Sequence, residues 1–340
     1  RERHLTAPPP ELASLEAREE WRARRAEEAA ALFRAQDALA ELLDTLDPAP
    51  PPVDLDPALL RDDEALLEIV AAGGREGGVR AFWVRRRGVV AQARDPGALL
   101  GEARLRGVRR LYVVDGAGAD TPTLAEHLVG GTPLAARVNL TYIPFAAWLA
   151  RPRPASDGPP LVVADPGVDL PHARKEGAWV ATRLGVGETI GDEATVAHVL
   201  EHLDGRRVFH FAGHGRLNPD APWDAHLVLA YGQRLDVAAI LARRARLGLV
   251  VLDGCETGRP HRAPVDGLGL AEAFLLAGAS TVLATTAPVG DADAARFMRS
   301  FYEFGGVADP AGAFRALVER ALSEGDDAWR AFRLFGYQSS

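Results

Sequence analysis

The chain has 340 residues, 47% of them apolar and 25% charged, with a formal net charge of −8. That composition suits a soluble protein of two domains or one large one, and its acidic balance argues against a nucleic-acid backbone as the main partner. No run of about 18 apolar residues marks a membrane span and no signal peptide opens the chain, so neither a membrane nor secretion is expected. The single cysteine, Cys255, excludes an intrachain disulfide or a multi-thiolate zinc site, and the expected location is the cytoplasm.

In chain order, residues 11–43 are rich in Ala, Leu, Glu and Arg with apolar residues at helical spacing, which predicts a long helix or helical pair. DPAPPPVDLDP then forbids helix and reads as a linker, placing a domain boundary near residue 50. Between 56 and 155 the runs ALLEIVAA, VRAFWVRRRGVVAQA and VRRLYVVDG predict strands of a mixed α/β unit without obvious chemistry, closed by RPRPASDGPP. From 160 to 340 the runs LVVA, RVFHFA, LGLVVL and STVLATT alternate with helical segments, which predicts a mostly parallel sheet covered on both faces. HLVLAYGQRLDV reads instead as a hairpin. The predicted class is therefore α/β, in two halves behind an N-terminal helical segment.

Two strand ends carry the chemistry. RVFHFA runs into GHG and LGLVVL into DGCETG, so His214 and Cys255 each follow a buried strand, and parallel strands bring such ends to one edge. If the strands are neighbours, a spacing of about 4.8 Å puts imidazole and thiol within reach of each other. Nucleophilic catalysis needs that pairing, a histidine to favour the thiolate and then to protonate the leaving group. The amides of Gly215 and Cys255 are the candidate oxyanion hole, and the flanking glycines allow close approach of substrate. The alternative is that Cys255 is a small buried apolar side chain. No metal is expected, because His210 and His214 would need a helix to converge on one. No P-loop lysine or dinucleotide fingerprint accompanies the glycines, and no cofactor is implied.

HFAGHG, LVVLDGCETG, DGLGLAEAFLLAGASTVLATTAPVGD, RFMRSFYEFG and WRAFRLFGY, in that order, resemble the CHAT family of caspase-like cysteine peptidases, relatives of separase and caspases. The resemblance is strong from Pro160 to Tyr337 and includes LVVADPG and HARKEGAWVATRLG. It implies a pseudo-peptidase half at 56–155 beside a catalytic half at 160–340, with His214 and Cys255 as the dyad. It also implies that residues 1–50 are the tail of a tetratricopeptide array and that the chain, which begins at Arg1, is part of a longer protein. Two departures stand out: Ala287-Pro288 where many relatives carry a Trp, and Asp253-Gly254-Cys255 where they often read Ser-Ala-Cys. In the related metacaspases an aspartate two residues before the nucleophile helps bind Arg or Lys, so Asp253 is expected to select a basic residue before the cut. Its alternative role is to cap a turn or helix start. Trp223, Asp224, Thr285 and Thr286 are further candidates for the substrate cleft. Arg259 and Arg262, in the loop ETGRPHRAPVDG, offer a self-cleavage site by analogy with caspase maturation, against the alternative of an ordinary mobile loop.

The resemblance further implies a bacterial regulated protease of antiphage defence or programmed cell death, with a protein substrate such as a pore-forming protein and an activating partner on the N-terminal helices. The competing expectation is a latent or inactive caspase-like scaffold acting through protein–protein contacts.

Overall fold

The computed structural model describes residues 56–71, 79–116, 122–152, 156–217, 224–254 and 269–337. The expected N-terminal helix and linker, and Trp223, Cys255, Arg259 and Arg262, lie outside them. The described residues belong to a compact unit that starts at Leu55.

The first strands are β1 (Glu64–Ala71), β2 (Val79–Arg85), β3 (Gly88–Ala93) and β4 (Arg110–Asp115), where the three N-terminal apolar runs predicted strands. A two-residue ladder, β5 (Leu128–Val129) with β6 (Thr132–Pro133), precedes β7 (Asn139–Tyr142). The second half supplies β8 (Leu161–Ala164), β9 (Glu188–Ile190), β10 (Val208–Ala212), β14 (Leu247–Asp253), β15 (Ala279–Thr285) and β16 (Phe332–Gly336). Between β10 and β14 lies a separate small sheet of β11 (Gly215–Arg216), β12 (His226–Val228) and β13 (Arg234–Asp236). The β12–β13 pair is the hairpin expected from YGQ, and its turn carries Tyr231 and Gly232 at φ 60° and 69°.

Eleven strands form one sheet in the order β3-β2-β1-β4-β7-β16-β15-β14-β10-β8-β9. β8, β10, β14 and β15 are mutually parallel neighbours. β16 runs antiparallel to β15 yet parallel to β7, and β7, β4 and β1 are parallel in turn. The two halves therefore share a sheet with opposite strand sense. The parallel strands β8, β10, β14 and β15 send their carboxyl ends to the edge where His214 follows β10, while β1, β4, β7 and β16 point the other way.

Helices cover both faces of this half. α1 (Pro171–Leu184) starts on a proline, whose fixed φ suits a first turn, and stops at Gly185 in the left-handed conformation. α2 (Val196–His202) and α3 (Val237–Arg243) are short, and α4 (Leu270–Ala277), α5 (Asp291–Glu303) and α6 (Pro310–Glu324) follow. Adjacent residues of β10 show the division: Phe209 packs on Phe274 of α4, with ring centroids 5.7 Å apart, while His210 faces α1 and α5. α1 has no cap of its own. Asp291 of α5 supplies one, accepting from the amides of His172 (3.0 Å) and Ala173 (2.9 Å), and so ties the two helices together. β8 and β10 are buried along their whole lengths, as expected of strands covered on both faces.

Candidate active site

β10 and β14 are adjacent and in register, Ala212 opposite Asp253, so the chain emerges from both strands at one level. Gly213 donates to the Asp253 carbonyl (2.9 Å) and Asp165, just past β8, donates to the Ala212 carbonyl (2.8 Å). Three strand ends are thus laced together beyond the regular ladder. Gly213 is required sterically: a Cβ there would lie 2.8 Å from Phe211 Cζ and 3.1 Å from Pro166 Cδ.

His214 is one-third exposed on its side chain, and its carbonyl accepts from Val228, which fastens the histidine loop to the small sheet. Its Nε2 lies 3.0 Å from Asp169 Oδ2. Asp169 was not singled out in the sequence; the only signal available was DPGVD directly after the LVVA strand. The loop that presents it is unusual. Asp165 (φ 46°) and the β-branched Val168 (φ 59°) both sit in the left-handed region, a costly conformation for non-glycine residues. The Asp165 carboxylate holds this loop by accepting from the amides of Asp169 and Leu170, both at 2.9 Å, and is itself held by Arg174 Nε (2.9 Å) and Nη2 (2.8 Å). Buried, paired and multiply bonded, Asp165 is a fixed support for Asp169.

On the nucleophile side, Cys255 follows Gly254 directly in sequence. The Gly254 carbonyl accepts from the hydroxyl of Thr285, which is fully buried. Thr286 is also buried and directs its amide (2.7 Å) and hydroxyl (3.4 Å) to the Ala331 carbonyl. Both hydroxyls thus bond to backbone carbonyls. Asp224 pairs with Arg234, and its carbonyl accepts from His226 Nδ1 (2.7 Å). Gly215 opens β11 opposite Leu227.

Asp253 is 7% exposed and faces the α1 side of the sheet. There it meets Glu176 of α1, His210 of β10 and Asp291 and Tyr302 of α5. Burial, reinforced by Glu176, pushes the Asp253 carboxyl well above the ordinary carboxylate range. Burial likewise carries Glu176 up to about 8, against a smaller downward pull from its contact with Asp253. His210 is driven down to about 4 by burial and is therefore neutral at physiological pH. Among the described residues no group of three or more His, Cys, Asp or Glu side chains is arranged to hold a metal ion.

A family model described as the CHAT domain matches residues 97–325, more than half of the sequence, and the chain belongs to that family. No curated protein sequence matches it. Among solved structures it is similar to the Saccharomyces cerevisiae separase in complex with securin, at 14% identity and a TM-score of 0.47 over 68% of this chain and 16% of that one. It is also similar to the Arg-specific cysteine proteinase gingipain R, at 14% identity and a TM-score of 0.49 over 70% of this chain and 65% of that one. The complex of the Porphyromonas gingivalis RgpB pro- and mature domains aligns at 14% identity and a TM-score of 0.45, over 67% and 64%. The chain thus spans less than two thirds of each of these proteins. No helix of the described residues is long and apolar enough to cross a membrane.

Proposed function

We propose that this protein is a cysteine endopeptidase with Cys255 as nucleophile and His214 as general base and acid. The observation that carries the reading is the in-register, parallel pairing of β10 and β14, from which His214 and Cys255 follow at equal distances along the chain. Asp169 accepts the Nε2 proton of His214, which leaves Nδ1 to take the thiol proton. The thiolate attacks the scissile carbonyl, and backbone amides at Gly215 and Cys255 stabilise the oxyanion. The imidazolium then protonates the departing amine, and a water deprotonated by His214 hydrolyses the acyl-enzyme. Asp169 acts through His214, as a positioning residue.

Asp253 selects a basic side chain before the cut. An acid held in low dielectric next to the nucleophile favours a guanidinium or ammonium partner. Burial of that carboxylate, with little surface left open, also supports a second reading, a latent module whose pocket opens when a protein partner binds residues 1–50. The regulated-protease setting, with a pore-forming protein as substrate in bacterial defence, follows from the family resemblance. So does self-cleavage at Arg259 or Arg262.

Fluorogenic peptides ending in Arg, Lys, Leu or Asp test the reading on wild type, Cys255→Ala and Asp253→Ala, with intact masses recorded in parallel. Turnover confined to Arg and Lys, lost in both variants, is expected, with any chain break absent from Cys255→Ala. Cleavage that survives Cys255→Ala would refute the assignment of the nucleophile.

A further inference from the structure

We infer that Glu176 is the second acid of the specificity pocket, lying against Asp253 and completing with it a two-carboxyl socket for the basic side chain of the substrate. This rests on the peptidase reading above and adds to it a residue from outside both catalytic loops.

The geometry begins with a close helix–strand contact. Gly177 of α1 lies so near β8 that a Cβ on it would fall 2.2 Å from the Ala164 Cβ. That approach sets the preceding residue, Glu176, over the neighbouring strand, with Oε1 3.1 Å from His210 Nε2. The contact is out of line for a hydrogen bond, and the Glu176 carboxyl, its side chain only 2% exposed, hydrogen-bonds instead to the Asp253 carboxyl. His210 directs its other nitrogen to the Tyr302 hydroxyl at 3.0 Å. Asp253 joins from β14 on the same face, because His210 lies opposite Val251 and Ala212 opposite Asp253 in the parallel ladder.

The groups facing Glu176 are His210 from β10, Asp253 from β14, and Tyr302 and Asp291 from α5. None of them is a permanent cation, and His210 stays neutral. The nearest arginine on α1, Arg174, is engaged by Asp165. Two buried carboxyl groups without a cation cannot both ionise at low cost, so the pair keeps a shared proton. A cation that ionises both must come from outside. Asp253 and Glu176 are both buried, at 7% and 5% exposed, and of the two Asp253 is the one that stands two residues before Cys255 in the sequence. When a guanidinium enters, the shared proton departs to solvent and both acids become charge-assisted acceptors. Binding of a basic side chain then tightens as pH rises toward the Glu176 range, while a neutral isostere is indifferent to pH.

The test uses N-propylguanidine, which copies the arginine side chain, and N-propylurea, its neutral counterpart. Each is titrated calorimetrically into wild type, Glu176→Gln and Tyr302→Phe, in two buffers of different ionisation enthalpy. Propylguanidine is expected to bind wild type with proton release and more tightly at pH 8.5 than at pH 6.5. Binding should weaken about tenfold in Glu176→Gln, the loss of roughly one charge-assisted hydrogen bond, and remain near wild type in Tyr302→Phe. The wild-type pH dependence needs no variant and stands even if Glu176→Gln does not fold. Absent binding, binding without proton release, or equal losses in the two variants would each overturn the inference. Casein digestion by the same proteins separates the two claims. Cysteine-dependent digestion without propylguanidine binding removes the socket and keeps the peptidase; Glu176-dependent binding without digestion does the reverse.

Discussion

Replacing Glu176 by Gln should change how stability depends on pH. In the folded protein the Glu176 carboxyl titrates near 8, against an ordinary value of 4.5. Between those two pH values the folded state holds a proton that the unfolded chain has released, so stability falls as pH rises. His210 acts in the opposite sense: folding lowers it from 6.5 to about 4, so across that interval the unfolded chain holds the extra proton and stability rises with pH. From pH 4.5 to 6.5 the two contributions largely offset each other. Above 6.5 only the loss from the acids remains. Glu176 alone gives about 1.5 pH units at ~1.4 kcal/mol each, or about 2 kcal/mol lost between pH 6.5 and 8. Asp253, also raised, pushes in the same direction.

Urea unfolding at constant ionic strength, followed at pH 6.5, 7.2 and 8.0, measures this directly. The wild-type midpoint should move down steadily across the series. Gln cannot titrate, so the Glu176→Gln profile should fall less steeply, by the part due to Asp253, and at pH 8 the variant should be at least as stable as wild type. A wild-type profile that is flat over this range, or an identical decline in Glu176→Gln, would show that the carboxyl is not held protonated and would refute the reasoning.

Two further predictions concern the architecture around the site. Asp169→Asn should lower kcat on the order of 10²-fold with little change in KM, because it disturbs the orientation and tautomer of His214 rather than substrate binding; an unchanged kcat–pH profile would remove Asp169 from the mechanism. Gly177→Ala should destabilise the fold by about 1–3 kcal/mol in urea, since its Cβ would meet the Ala164 Cβ at 2.2 Å. Adding Ala164→Gly should restore most of that loss, and failure to do so would place the strain elsewhere.

The parallel core was readable in the sequence because strands buried on both faces are written as unbroken apolar runs. LVVA, VFHFA, LGLVV and STVLAT correspond to β8, β10, β14 and β15, and the glycine-bounded ends mark where the chain leaves the sheet. The hairpin around Tyr231 was equally readable from its turn residues. The opposite sense of the two halves was not. It depends on β16, inserted antiparallel to β15 and parallel to β7, and no local pattern in FRLFG specifies its neighbours.

The site shows the same division between local and long-range information. His214 could be singled out because a strand followed by Gly-His-Gly is a local signature. Asp169 could not, since its contact with His214 spans 45 residues and depends on a loop held at positive φ by Asp165. Glu176 was hidden more deeply still: within HARKEGAWVATRL it occupies an amphipathic helix where a glutamate ordinarily faces water. Only the neighbouring glycine, by letting α1 settle against Ala164, turns that glutamate inward over His210 and Asp253. In an apolar setting without a resident cation the acid keeps its proton, and the chemistry of Glu176 is thereby decided by a packing contact rather than by its residue type.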